Sequence, residues 1–364
     1  MGKKILLYID GMNSGGAQRQ IIGLARCIQG LSGYDTRLLF YKDKADFYKS
    51  QLDYFNIDYY YDRSSCLKIH GFIALRKQIK DYKPDLIISF LGESNLYACI
   101  NRLFCKIPLI VSERNTTIVP TYFDRIRFFL YRLADIIIPN SYSQCKYLCC
   151  KLPRMEHKII PIINFVDTKV FYPIKKHNVN PIKNIIVTAR VIPQKNVFNF
   201  IHAIKIVVDS GYTKFKIKWI GSLGVKDYVK ECANLIDILQ LSDHFSFVGE
   251  CNNMLMIYSK ADIFCLPSFY EGTPNALCEA MSCGLPILCS DVCDNSRYVK
   301  DNINGFLFNP HDCQSMADSI IKFLKLTDDK ILDMGKVSRK KALADFSFEK
   351  FNDQWHEQIR QLIG

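Results

Sequence analysis

Two glutamates, Glu271 and Glu279, are separated by seven residues in the run PSFYEGTPNALCEAMSCGLPILCSD. The run reads as a strand (261–267), a polar loop, a helix, a glycine stop and a second strand (285–289). Thr273 suits the N-cap of that helix, and Pro274 its first position, where a missing N–H costs nothing. Gly284 falls just past the last helical residue, where a left-handed stop is needed. The helix start then presents the amides of Asn275, Ala276 and Leu277 beside the end of a buried strand. Orphan amides and the helix dipole both favour an anion, so this is a phosphate site. Glu271, ahead of the helix, reaches a ligand's reacting end. Glu279, near the helix middle, reaches hydroxyls elsewhere on it. The bland alternative, two solvated glutamates on a surface helix, fits the spacing equally well.

Further groups suit the same chemistry. Arg190 and Lys195 lie in VTARVIPQKN, just after a strand, where two cations suit an anionic ligand. Gly221 ends another strand and offers backbone contact alone. Near the N-terminus, Gly15, Gly16 and Gln18 follow the first strand, and paired glycines let backbone approach a ligand at the next helix start. This loop has neither the GxGxxG of a dinucleotide fold nor the GxxxxGK of a P-loop. Glu93 stands in SFLGESN, and Glu113 and Arg114 in VSERN, after two further strands.

The glutamate run resembles the signature of retaining glycosyltransferases with the GT-B fold, of the group 1 (family 4) type. This group includes bacterial mannosyl-, glucosyl- and hexosaminyltransferases of surface-glycan assembly. The residues that carry the resemblance are Glu271-Gly272-Thr273-Pro274 and Glu279-Ala280-Met281-Ser282-Cys283-Gly284-Leu285-Pro286-Ile287. Arg190 and Lys195 are similar to the family's Gly-Arg-Leu-x-x-x-Lys element, with Ala189 where glycine is usual. The resemblance implies that Arg190 and Lys195 grip the donor diphosphate, that Glu271 stands by the transferred sugar and that Glu279 binds the nucleotide ribose. Gly221, Gly272, Thr273, Asn275, Ala276 and Leu277 complete the implied donor site. Gly15, Gly16, Gln18, Glu93, Glu113 and Arg114 fall on implied acceptor-side loops, with Arg114 meeting an acceptor phosphate and Glu93 or Glu113 an acceptor hydroxyl.

The implied reaction transfers a hexosamine or hexose from a nucleotide-diphosphate sugar, preferably UDP-linked, to a lipid-linked or polyprenyl-diphosphate-linked glycan. Retention implies front-face attack, the leaving phosphate taking the acceptor proton. Sugar-nucleotide 2-epimerases share the architecture and are the alternative, as is a paralogue that binds without chemistry. No Asp-x-Asp triplet occurs. Clustered carboxylates are what a metal bridging a diphosphate needs, so neither metal nor cofactor is expected.

The elements that must position these residues alternate strand and helix along the whole chain. Expected strands are 4–9, 36–41, 85–90, 109–111 and 136–139, with helices at 17–28, 72–81, 95–104 and 123–134. A polar stretch at 167–184 with two prolines reads as a linker. Strands at 185–188, 216–220, 245–247 and 306–308 follow, with helices at 197–208 and 225–239 and two more at the C-terminus. The predicted fold is α/β: two Rossmann-like, doubly wound domains facing a cleft, residues 1–170 for the acceptor and 171–348 for the nucleotide sugar. A C-terminal helix at 349–364 packs back on the first.

Bulk composition bounds the setting. The 364 residues carry a net charge of +12. Residues 1–170 hold 25 Lys and Arg against 15 Asp and Glu, the remainder 23 against 21. A basic first half suits an anionic partner, here the cytosolic membrane surface that carries the acceptor and not nucleic acid. The start, MGKKILLYID, is too short in its apolar part for a signal peptide, and no run is long enough to span a bilayer. Cytoplasmic residence on the inner membrane face follows as the expectation. The 15 cysteines show no zinc-ligand spacing and read as reduced, small apolar groups. The segment YFDRIRFFLYRL has an apolar stripe at helical spacing. Packing on its own sheet is the favoured reading, contact with a membrane the other.

Overall fold

The computed structural model describes residues 2–13, 15–42, 47–62, 69–174 and 181–364. The chain divides into two compact units. The first comprises Met1–Asn164 with Phe348–Gly364, the second Phe165–Ser347.

In the first unit β1 (Lys3–Tyr8), α1 (Gly16–Gln29), β2 (Tyr34–Phe40), α2 (Lys49–Tyr54), β3 (Tyr59–Tyr61) and α3 (His70–Tyr82) lead to β4 (Leu86–Phe90). Then come α4 (Gly92–Arg102), β5 (Leu109–Glu113), α5 (Tyr122–Leu130), β6 (Ile136–Pro139) and α6 (Tyr142–Lys151). All pairings are parallel, in the order β3-β2-β1-β4-β5-β6. A parallel sheet is covered on both faces, which is why β4 and β5 are buried at every residue.

The second unit runs β7 (Lys183–Thr188), α7 (Val197–Asp209), β8 (Phe215–Ile220), α8 (Lys226–Ile238), β9 (Phe245–Gly249) and α9 (Met254–Ser259). It continues with β10 (Ile263–Leu266), α10 (Asn275–Ser282), β11 (Ile287–Ser290), α11 (Asn295–Tyr298), β12 (Gly305–Phe308), α12 (Cys313–Leu324) and α13 (Asp328–Asp345). Its parallel order, β12-β11-β10-β7-β8-β9, repeats the first unit's. In both, strand order reverses beside the unit's first strand, between β1 and β4 and between β7 and β10. That reversal opens a crevice at the strands' carboxyl ends, the place where such sheets take ligands.

The last helix, α14 (Phe348–Ile363), belongs to the first unit. Its Trp355 is fully buried against Phe90 of β4, and His356 Nε2 lies 3.1 Å from the Cys27 carbonyl oxygen of α1. Three helices, not two, therefore close the chain. The first unit ends at Asn164, ahead of the expected break after residue 170. Phe165 and Val166 are already buried in the second unit, where the Val166 amide donates to the Phe346 carbonyl at 2.8 Å. The described start of the expected linker is tied to that unit, although Val170 and Tyr172 are exposed. Arg339 donates to the carbonyls of Phe171 at 2.8 Å and Thr168 at 3.1 Å.

Candidate functional site

At the reversal of the second sheet, two strand ends are laced together. After β7 the chain passes through Ala189 and Arg190 to a short 3-10 turn, Pro193–Lys195. Asn196 then takes a left-handed conformation, φ +61°, tolerated best by glycine and asparagine. Its buried amide donates to the Pro267 carbonyl beyond β10 at 3.1 Å and to the Pro310 carbonyl beyond β12 at 2.7 Å. Gln194 donates to the Tyr270 carbonyl at 3.0 Å and accepts from the Phe269 amide at 3.0 Å. Three of these four bonds fix residues 194–196 along residues 267–271, and the fourth ties Asn196 to the loop after β12. Lys195 Nζ consequently lies 2.5 Å from Glu271 Oε1, with side chains only 14% and 9% exposed.

The neighbouring strand end explains Gly221. A Cβ there would sit 2.2 Å from the Ala189 carbonyl oxygen and 3.2 Å from the Arg190 amide, at φ +148°. Without a side chain the β8 loop closes on the β7 loop, and Val191 N–H bonds the Ser222 carbonyl at 3.0 Å. Trp219 Nε1 donates to Ala189 O at 2.8 Å, so indole and glycine together hold the base of the Arg190 loop. Arg190 itself is exposed and makes no ion pair among the described residues.

Helix α10 begins one residue later than expected. Pro274, not Thr273, is the N-cap, with extended backbone and no side-chain cap, and the first intrahelical bond runs from Cys278 N–H to Pro274 O at 3.2 Å. Thr273 is buried, 3% exposed, and belongs to the loop. The amides of Ala276 and Leu277 precede the first intrahelical bond, and the first turn contains no acid to compete with an anion. Gly272, Asn275 and Ala276 are partly exposed around this end. Gly284 adopts φ +75°, the expected left-handed stop. Glu279 faces inward at 3% exposure, its Oε2 accepting from the Tyr258 hydroxyl at 2.9 Å. The surface-helix alternative therefore fails for both glutamates.

The reversal of the first sheet gathers a second polar cluster. Lys42, after β2, pairs with Glu93 in the first turn of α4 and stands 3.8 Å from Asp10 after β1. The Tyr41 hydroxyl donates to Glu93 at 3.1 Å. Burial raises the Asp10 carboxyl, against the pull of Lys42 and of the Gly11 amide at 2.9 Å. The turn into α4 is strained: Leu91 has φ +74° and ψ 155°, a conformation that costs about 1–3 kcal/mol for a residue with a side chain. Gly92 follows with Arg127 packed where its Cβ would stand. Gly15 is the N-cap of α1 and Gly16 its first residue. Gln18 donates to the Gly11 carbonyl at 3.1 Å and so braces the glycine loop. Ser14 lies outside the described residues.

Two expected acceptor contacts are corrected. Glu113 is 1% exposed, paired with Arg127 Nε at 3.2 Å and bonded by the Tyr131 hydroxyl. Its carboxylate is spent on α5 and cannot meet an acceptor hydroxyl; burial pushes it above the usual carboxylate range, with Arg127 opposing. Arg114 also turns inward. It donates to Asn164 Oδ1 at 3.1 Å and stacks 4.3 Å over Phe90 and 5.9 Å from Trp355. Burial lowers its guanidinium to about 9. Both residues hold the first unit together. Asp10 and Lys42, not singled out in the sequence, stand partly exposed at the first reversal, while Gln194 and the buried Asn196 brace Lys195 at the second. Their signal was position alone, directly after a strand or around a motif lysine.

Two Rossmann-like units of identical strand order, the second with cation, carboxylate and helix start at its reversal, define the GT-B class. Over 98% of this chain and 100% of the other, the structure superposes on Anabaena HepE in complex with UDP, with TM-score 0.84 and 20% identity. Residues 174–341 match the family described as glycosyl transferases group 1, and residues 14–170 match glycosyltransferase family 4. The chain belongs to the group 1 glycosyltransferases, with the family 4 N-terminal unit. It is 24% identical, over 99% of both chains, to a Campylobacter jejuni alpha-1,4-N-acetyl-D-galactosaminyltransferase whose named acceptor is GalNAc-alpha-(1->4)-GalNAc-alpha-(1->3)-diNAcBac-PP-undecaprenol. It is 25% identical, over 78% of this chain and 77% of the other, to the Escherichia coli UDP-Gal:alpha-D-GlcNAc-diphosphoundecaprenol alpha-1,3-galactosyltransferase.

Proposed function

We propose that this glycosyltransferase moves a hexosamine or hexose, with retention, from a UDP-linked donor to a polyprenyl-diphosphate-linked glycan of a bacterial surface polysaccharide. The observation that carries the reading is the Lys195–Glu271 pair at the β7/β10 reversal. Breaking the glycosidic C–O bond leaves negative charge on the diphosphate. Lys195, Arg190 and the first amides of α10 supply fixed positive charge for it, which lowers the barrier without reorganisation. Glu271, joined to Lys195, stands where positive character grows on the departing sugar. Glu279, held by Tyr258, serves the donor's hydroxyl-bearing part. Alpha linkages in the named activities of both relatives fit retention. In this reading the leaving phosphate takes the acceptor proton, and side chains do the neutralising that a metal does elsewhere. The Asp10–Lys42–Glu93 cluster with the Gly15–Gly16 loop forms the acceptor side, and the enzyme works from the cytosolic membrane face.

The test is UDP release from UDP-hexosamines and UDP-hexoses with and without a polyprenyl-diphosphate glycan, in buffer containing EDTA. Acceptor-dependent release that survives chelation supports the reading. Conversion of the donor to its 2-epimer without acceptor assigns the chain to the epimerases instead, and saturable UDP binding with no release from any donor makes it a binding protein.

A further inference from the structure

Helix α5 is built inside out. Its inward face carries charge: Arg127, 7% exposed in its side chain, bonds Asp124 at 2.9 Å and Glu113 at 3.2 Å, with Phe128 beside it. Its outward face carries hydrocarbon. Tyr122 is 79% exposed and Phe129 56%, with Phe123 and Ile126 exposed between them. The preceding turn adds Ile118 and Val119, the latter 80% exposed. An amphipathic helix of a self-contained domain shows the reverse arrangement. Of the sequence stripe, Leu130 packs on the first unit's core, as its periodicity favours, but Tyr122, Phe123, Ile126 and Phe129 do not; the Glu113–Arg127 pair and Phe128 take that side.

A capping box fixes this helix in place. Thr121 accepts from the Asp124 amide at 3.2 Å, and Asp124 accepts from the Thr121 amide at 2.9 Å. The exposed face is thus presented by an anchored element. A contiguous apolar surface of this kind on a folded unit marks an interaction site. Charge decides the partner. Arg125 and Arg132 flank the stripe and are exposed, and the Arg132 guanidinium lies 3.7 Å over the Phe129 ring. The helix's one acid, Asp124, is tied to Thr121 and Arg127. Aromatic and aliphatic side chains bordered by arginines match the boundary between headgroups and acyl chains of an anionic bilayer.

We propose that α5 with the preceding turn docks the first unit on an anionic lipid bilayer, inserting Tyr122, Phe123, Ile126 and Phe129. This rests on the lipid-linked acceptor in the proposed function, but it can fail independently, since α5 and the donor residues belong to different units of the chain.

The test uses the full chain with sedimenting vesicles of phosphatidylethanolamine plus phosphatidylglycerol, and of phosphatidylcholine alone. Wild type is expected to sediment with the anionic vesicles and to be released by salt. The triple variant Phe123→Ser, Ile126→Ser, Phe129→Ser should lose about tenfold or more of the bound fraction. Its melting temperature should stay close to that of wild type and its thermal shift with UDP should be unchanged, since these side chains are on the exposed face and the donor residues belong to the other unit. An Ile126→Trp reporter should shift its emission to the blue on anionic vesicles only. Full vesicle binding by the triple variant, no binding by wild type, or self-association of wild type that the variant abolishes would each overturn the proposal. The last outcome would make the face a contact between copies. Loss of UDP binding by wild type itself would instead count against the proposed function and leave α5 untouched.

Discussion

Lys195 and Glu271 are 76 positions apart in sequence and 2.5 Å apart in space, one following β7 and the other following β10. Their meeting follows from strand order, because β7 and β10 are neighbours only where the sheet reverses direction. A cation and an anion held at that point, beside an uncapped helix start, can answer both charges of a breaking glycosidic bond.

In the proposed function, turnover depends on this pair. Lys195→Met and Glu271→Gln should each lower kcat by about 10²–10³-fold, the range for losing one preorganised electrostatic contact. Each also leaves its partner partly buried and unpaired, at about 1–3 kcal/mol of stability. Steady-state kinetics beside denaturant melts separate the two effects. Near-wild-type kcat in either variant rejects the assigned roles.

Asn196 is expected to matter as a support. Asn196→Ala removes the bonds to the Pro267 and Pro310 carbonyls and leaves the left-handed backbone without asparagine's tolerance for it. A loss of about 2–4 kcal/mol should appear in urea unfolding, with weaker UDP binding. Asn196→Gly, which relieves the backbone alone, should lose less.

Gly221→Ala tests the loop closure. The added methyl meets the Ala189 carbonyl at 2.2 Å in a backbone region that disfavours side chains. A destabilisation above about 2 kcal/mol is expected, with a larger fall in UDP affinity than in overall fold content by circular dichroism.

The buried Glu113 gives a pH signature. Burial raises its folded-state value above the ordinary 4.5, so between those two values the folded chain binds more protons than the unfolded chain. Stability contributed through this group is full below pH 4.5 and is lost as pH rises through the folded value. Glu113→Gln should flatten that decline in melts taken from acid to neutral pH, although it weakens the hold on Arg127. An unchanged slope contradicts the shift.

The parts of this molecule legible in sequence were those with strong local signals. The apolar strands β4, β5 and β10, the Gly284 stop and the charged residues that follow β7 and β10 all carry their signal within a few positions. The three-residue strand Tyr59–Tyr61 and the short helices α2 and α9 do not, since tertiary contacts and not local pattern make them. Residue type marks Thr273 as the cap, yet Thr273 is buried in the loop and the extended backbone of Pro274 makes it the N-cap. Glu113 and Arg114 looked like strand-end ligands because periodicity cannot foresee Arg127 arriving from α5 or Trp355 from α14. The same unseen ion pair turned the stripe of α5 outward.

The most direct measurement is calorimetric affinity for UDP and for a UDP-sugar in wild type, Lys195→Met and Glu271→Gln. If Lys195 holds the diphosphate and Glu271 the sugar, Lys195→Met should weaken both ligands by about tenfold or more, or about 1.4 kcal/mol, while Glu271→Gln weakens the UDP-sugar alone. Wild-type affinity for both ligands in both variants would contradict the placement of the donor at this pair.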